Sequence, residues 1–391
     1  MINITNIDSN SPKSTTFFQL GFRPMFFTAS VFAVVFMLLF LIFYRFESTH
    51  MLNTAIIYWH AHEMIYAYIV AIIAGFLLTA IRNWTKLNTL SGKYLAALLL
   101  LWIIARLLPF IKPLIEIQMV IDVSFLVFLT IAISIPIFKA KNWNNLSIIL
   151  KVALLIVAHI IFYLGLLGYI ENGIIMGLYL GFYLILSIVF LMARRVIPFF
   201  IGSAANVKIK NYKVIDSLSL ILFLLYMILE VFFYTYTDVI IILAFSLFII
   251  HSIRLYNWFT KDIFKIPLLW SLYISYAFIT FGFLLKIIEF YFGYSPYLHI
   301  HAFALGMVLL TLAMMSRISL AHSGLSIFKP PRMIKWAFIL MIFSFIFRVI
   351  LPIIFVYQFK NLVIISQFFW IAAFIVFLIA YTPIFIKQYK F

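Results

Sequence analysis

The stretch Tyr58-Trp59-His60-Ala61-His62-Glu63-Met64 places two imidazoles and a carboxylate at the head of an apolar run that continues to about Ile81. A second stretch, Leu298-His299-Ile300-His301, heads the run that ends near Leu320. Imidazole is the natural ligand of haem iron, copper and zinc. At a membrane surface it also bonds headgroups or backbone carbonyls. Ionisable groups are expensive in a bilayer, so they are functional suspects, and two His-x-His pairs at matching run heads weigh toward metal. Residues i and i+2 of an α-helix lie roughly 200° apart. The two histidines of each pair therefore face opposite flanks, and one helix can serve two separate sites. Glu63 falls about 60° from His60 and about 100° from His62 on the same wheel. It is expected on the flank of His60, as a carboxylate that bonds a ligand imidazole's free N–H and fixes its tautomer. His60, His62 and His301 are the leading ligand candidates, with His299 and His159 next.

Other ionisable residues interrupt apolar runs. His159 sits mid-run, where snorkelling reaches no water; it reads as a ligand or as an interhelical hydrogen bond. Lys286 and Glu289, three apart, share a helical face and are expected to pair. Arg106 and Arg348 either snorkel to headgroups or neutralise an anionic group, with Asp122 close to the depth of Arg106. Glu230 reads as a lone acid midway along the seventh run, either a proton relay or a hydrogen-bonded core acid. His251 and Arg254 fit an interfacial role, His322 a loop, and Met64 packing rather than iron ligation.

The elements that must position these groups are membrane helices. Hydrophobic residues make up 66% of the 391-residue chain and charged residues 10%, with a mean hydropathy of +1.18. This composition belongs to an all-α polytopic membrane protein. Twelve runs are long enough to span, at about 20 residues each: 25–44, 57–81, 94–111, 115–137, 147–169, 173–193, 214–235, 238–256, 266–291, 298–320, 333–357 and 361–386. Three pairs, 94–111/115–137, 147–169/173–193 and 214–235/238–256, are joined by short turns and must be hairpins. Gly165, Gly168, Gly177 and Gly181 point to close packing of the fifth and sixth runs. The chain reads as a polar tail, 1–22, without the apolar core of a signal peptide, and one membrane domain, 23–391.

The net charge of +17 does not indicate nucleic acid, because Lys and Arg punctuate apolar runs instead of sharing a soluble patch. The connections after even-numbered runs carry Arg82, Lys86, Lys93, Lys139, Lys141, Lys151, Arg194, Arg195, Lys208, Lys210, Lys213, Arg254, Lys261, Lys265, Arg317, Lys329, Arg332 and Lys335, and the tails add Lys13, Arg23, Lys387 and Lys390. The other connections offer Arg45, Lys112 and Lys360. By the positive-inside rule both termini are cytoplasmic, and both His-x-His pairs then lie near the periplasmic face. Cysteine is absent, which excludes disulfides, thiolate zinc sites, iron–sulfur clusters and thiolate-ligated haem. No Walker loop, dinucleotide fingerprint, HExxH or nucleophile elbow occurs.

Several stretches together resemble the NnrS family: Phe22-Arg23-Pro24, Trp59-His60-Ala61-His62-Glu63-Met64, Gly75-Phe76-Leu77-Leu78-Thr79-Ala80 with Asn83-Trp84-Thr85, Met315-Ser316-Arg317, and Ala321-His322-Ser323-Gly324. Leu325 departs from that pattern, where the family usually has Arg. The resemblance implies a multi-pass protein of the bacterial inner membrane with haem b and copper, linked to the nitric oxide response and denitrification. It sets Arg23, His60, His62, Glu63, His301, Arg317 and His322 on motif positions. A nitric oxide-handling oxidoreductase drawing electrons from quinol or a periplasmic donor is the first expectation, with Arg106 and Arg348 as groups that neutralise haem propionates. A proton-coupled transporter using His and Glu without metal is the alternative, and a haem- or copper-handling assembly factor a third. Haem–copper oxidases offer an analogy of arrangement alone: twelve spans, a His in the second and a His-x-His in the tenth.

Overall fold

The structure is a computed structural model and describes residues 16–46, 54–111, 114–206, 209–210, 212–294 and 297–387. Most of the polar tail, with Lys13, and also Lys112, Lys208 and Lys390 lie outside the described residues. Twelve helices are long and apolar enough to cross a membrane: α1 (Phe22–Phe46), α2 (Ile56–Thr85), α3 (Gly92–Ile111), α4 (Ile115–Lys139), α5 (Trp143–Leu166), α6 (Gly173–Ala204), α7 (Lys213–Phe232), α8 (Thr237–Trp258), α9 (Pro267–Phe292), α10 (Leu298–Ala321), α11 (Ile334–Ile354) and α12 (Val356–Ile386). No strand occurs among the described residues.

Every fourth helix is central. In α2, α6 and α10 the most apolar stretch is 83%, 72% and 78% buried, against 33–61% in the others. The remaining helices pack around these three as successive neighbours, and α12 closes onto α1. Three outer groups result: α3–α4–α5, α7–α8–α9, and α11–α12–α1. The buried ionisable groups of α2 and α10, His62, Glu63 and His299, all find their partners on neighbouring helices, which fits the central places of these two. Glycine sets the closest approaches. A Cβ on Gly165 would run into the backbone of Ile174, and one on Gly177 would lie 2.5 Å from that of Phe162. Gly168 instead occupies the turn between α5 and α6, with a φ of +81°.

Three details depart from the expected runs. The helix holding α6 continues three turns past 193, through Arg194 and Arg195, to Asn206, whose left-handed backbone (φ 51°) stops it. The arginines therefore do not mark the end of the helix. The other two details are π segments, Glu63–Ile69 within α2 and Ile346–Ile350 within α11. Wide turns of this kind are rare and collect at functional sites. The Ala67 carbonyl in the first accepts the Trp102 indole N–H of α3 at 3.2 Å. The second precedes Pro352, which has no N–H for the Arg348 carbonyl.

Arg23 ties the ends of the chain together. Its Nη1 donates to the carbonyls of Ile384, Phe385 and Lys387 at 3.1, 2.9 and 2.9 Å. A cation at a helix C-terminus satisfies orphan carbonyls and favours the dipole. The arginine therefore locks the start of α1 to the end of α12.

Candidate functional site

The head of α2 serves two flanks. His62 is 3% exposed and turns toward α4 and α5. Its Nε2 lies 2.9 Å from His159 Nε2, and Asp122 Oδ2 is 3.5 Å from each of the two nitrogens. A triangle with these sides has a centre roughly 2 Å from all three atoms, the length of a metal bond to imidazole or carboxylate. All three residues are buried. Tyr163 Oη donates to Asp122 Oδ2 at 2.9 Å. The Tyr66 ring stacks on His159 at 4.0 Å, with its hydroxyl donating to the Gly177 carbonyl.

A carboxylate holds the other face of His62: Glu63 Oε1 lies 3.0 Å from its Nδ1. Arg106 of α3 then bridges the acids, donating from Nη1 to Glu63 Oε2 at 2.8 Å and from Nη2 to Asp122 Oδ1. Glu63 thus shares the flank of His62 and not that of His60, contrary to the wheel. The π segment begins at Glu63, and Arg106 draws the carboxylate toward α3. Arg106 is 7% exposed and doubly paired, so it does not snorkel.

His60 faces the opposite way. Its ring stacks on Phe40 at 4.0 Å and Phe36 at 5.8 Å, both in α1. Its Nδ1 is buried without a hydrogen-bond partner. His301 of α10 faces the same group of helices. Its Nδ1 donates to the Tyr297 carbonyl at 2.7 Å, and Arg348 Nη2 lies 3.1 Å from its Nε2. His60, His301 and Arg348 are surrounded by protein, yet each keeps intermediate accessibility. No ion pair among the described residues brings a carboxylate to these three.

The remaining candidates fall elsewhere. His299 turns to α9, where its Nδ1 and backbone N–H both meet the Glu289 carboxylate. Glu289 is thereby taken from Lys286, which instead pairs with Glu230 at 2.6 Å. The expected Lys286–Glu289 pair is absent, because both side chains reach across to other helices. Glu230 is neither alone nor midway; it lies in the last turn of α7. His251 and Arg254 are buried and bond Tyr276. Met64 packs against the core. Asp122, Tyr163 and Tyr66 are the site residues that motif reading left out. Asp122, an acid deep in an apolar run, carried the one available signal.

On the Lys/Arg-rich face the later motifs converge. Asn83, Trp84, Arg195, Phe200 and His322 line a cavity of about 700 Å³. Arg317 lies over the Phe200 ring at 3.3 Å. His322 caps the end of α10, and Asn83 Nδ2 lies 3.4 Å from its Nε2. Burial, with Arg82 and Arg23 nearby, pushes the His322 imidazole down to about 4. None of these residues meets the histidine clusters.

The profile of the family described as NnrS protein matches residues 16–388. No curated protein matches the chain.

Proposed function

The chain belongs to the NnrS family, and from that premise we propose a haem- and copper-binding redox protein of the bacterial inner membrane that handles or senses nitric oxide. The observation that carries this reading is the convergence of His62 Nε2, His159 Nε2 and Asp122 Oδ2 on one point. Two imidazoles and a carboxylate suit copper or zinc, and the lack of cysteine leaves no softer donor. With Glu63 and Asp122 ionised and Arg106 charged, the cluster carries one net negative charge, which a cation neutralises.

What the residues do follows from their contacts. Glu63 holds the tautomer in which His62 presents Nε2 as a lone-pair donor, the usual role of a carboxylate behind a ligand histidine. Arg106 pairs with both acids and fixes them relative to each other. His62, His159 and Asp122 would hold the ion with three protein donors, and an ion so held would supply a site for a small ligand such as nitric oxide.

The other flank supports haem. His60 and His301 supply two imidazoles from different helices, Phe36 and Phe40 an apolar wall, and Arg348 a positive charge suited to a haem carboxylate. Ligation through His301 Nε2 requires the Arg348 guanidinium, now beside that nitrogen, to turn away. Bound haem supplies one-electron chemistry at the iron. The Lys/Arg distribution supports cytoplasmic termini and both clusters near the periplasmic side. A reporter fused after Lys387 that reads as periplasmic would reverse that orientation.

The decisive experiment is a visible spectrum and metal analysis on the same detergent-purified sample. A Soret band with copper near one equivalent is the expected result. A colourless, metal-free protein from haem- and copper-replete cells would reject the proposal.

A further inference from the structure

The helices α7, α8 and α9 carry a file of buried polar groups that neither histidine cluster uses. It begins on the Lys/Arg-rich face at Asp216, whose side chain is 22% exposed. Arg254 Nη2 donates to Asp216 Oδ1 at 2.6 Å, and Nη1 to Tyr276 Oη at 3.0 Å. Tyr276 Oη lies 2.6 Å from His251 Nδ1. His251 is 1% exposed, and its Nε2 is buried without a partner. Toward the opposite face the file resumes at Tyr226 of α7 and Tyr183 of the adjoining α6, whose rings lie 5.6 Å apart and whose hydroxyls are buried beside Glu230. It ends at Glu230 and Lys286, with Tyr179 and Glu289 beside them.

The two halves are separated by aromatic rings. Phe190 and Phe283 stack on His251 at 4.4 and 5.5 Å. Tyr226 lies 5.7 Å from Phe283 and 6.3 Å from Phe223. Buried polar groups in an apolar helix bundle are costly and normally satisfied. Ion pairing explains Asp216–Arg254 and Glu230–Lys286 as braces between helices. It does not explain an imidazole nitrogen left unsatisfied on one side of a short aromatic gap and two buried phenols aligned with a carboxylate on the other. Each of these groups accepts and releases protons, and together they extend nearly from one face of the bundle to the other. Apolar constrictions of this kind gate conduction by dewetting.

We propose that α7–α9 form a proton route from Asp216 through Tyr276 and His251 to the Glu230–Lys286 pair, with Phe223 and its neighbours as the barrier. The route stands apart from the metal reading and is testable without metal. The full chain is reconstituted in liposomes holding a pH-sensitive dye, and a potassium diffusion potential of either sign drives protons. Wild-type flux is expected to fall in His251→Asn and in Glu230→Gln. Phe223→Ala is expected to raise it about tenfold, equivalent to taking about 1.4 kcal/mol off the barrier. Either polar substitution added to Phe223→Ala should return the flux toward the wild-type level. A Phe223→Ala leak that both second substitutions leave intact would overturn the route, as would a leak equally permeable to sodium. If Phe223→Ala does not fold, equal fluxes in wild type, His251→Asn and Glu230→Gln would overturn it as well. Failure here leaves the histidine clusters unaffected.

Discussion

The two flanks of α2 solve opposite electrostatic problems within one helical turn. Toward α3–α5, His62 sits in a dry knot with two carboxylates and one arginine, all within direct contact. Toward α1 and α11, His60 and His301 lie near Arg348, and no ion pair among the described residues places a carboxylate there. The first flank has one negative charge too many and the second one positive charge too many. A buried excess of either sign is unfavourable unless something bound offsets it. On the function proposed above, the first flank would take a bare cation and the second a group that brings its own carboxylates. One His-x-His pair reaches both because its members face apart.

The largest expected effect tests the charge contrast directly. Arg106→Leu strands Glu63 and Asp122 in an apolar interior, and breaking such a network costs about 3–5 kcal/mol. Arg348→Leu removes a cation that has no carboxylate partner, so thermal unfolding in detergent should show it nearly unchanged or slightly more stable. A loss for Arg348→Leu as large as that for Arg106→Leu would mean that the second flank holds a compensating anion.

Next come the ligands themselves. His62→Ala should empty the copper position and leave the Soret band. His60→Ala should alter or abolish the Soret band and leave copper. Visible spectra with metal analysis decide this, and identical defects in both variants would merge the two sites into one. Asp122→Asn should resemble His62→Ala, since it removes a donor from the same point.

Much of this contrast was legible in the residues. The 3.6-residue period alone sends His60 and His62 apart, and the helix count with the charge of the connections sets both pairs at one depth. The limits were local and tertiary. A helical wheel assumes an unbroken α-helix, and the π segment at Glu63 breaks that assumption where the wheel was asked to place a carboxylate. Lys286 and Glu289 share a face, as spacing requires, yet each finds a stronger partner on another helix. Partner choice across helices is not written in any one run. Asp122 becomes a candidate ligand only when α4 and α5 are brought beside α2.

Glu63 sharpens the contrast at a smaller scale. Glu63→Gln keeps an acceptor for His62 Nδ1 and should retain copper. Glu63→Ala should weaken copper binding by about 10–100-fold, the usual loss when the partner of a ligand histidine is removed. Competition with a chelator of known affinity measures it, and haem content should not change. An equal drop in haem would place Glu63 on the other flank after all.

The smallest effect belongs to His322, far from both clusters and useful as a control on them. Burial and the charges of Arg82 and Arg23 hold its imidazole at about 4, below the ordinary value of 6.5. Between those two values the unfolded chain binds a proton that the folded chain refuses. Stability therefore falls as pH drops from about 6.5 to about 4, and this group contributes no further change below that window. His322→Asn removes the titrating ring and keeps polar atoms near Asn83. Its melting temperature should fall less steeply than that of wild type between pH 7 and pH 4.5, while haem and copper contents stay equal. Parallel melting curves over that range would show that acid reaches the fold through other groups. A change in metal content would tie the Lys/Arg-rich face to the histidine clusters, which the separation of their contacts does not predict.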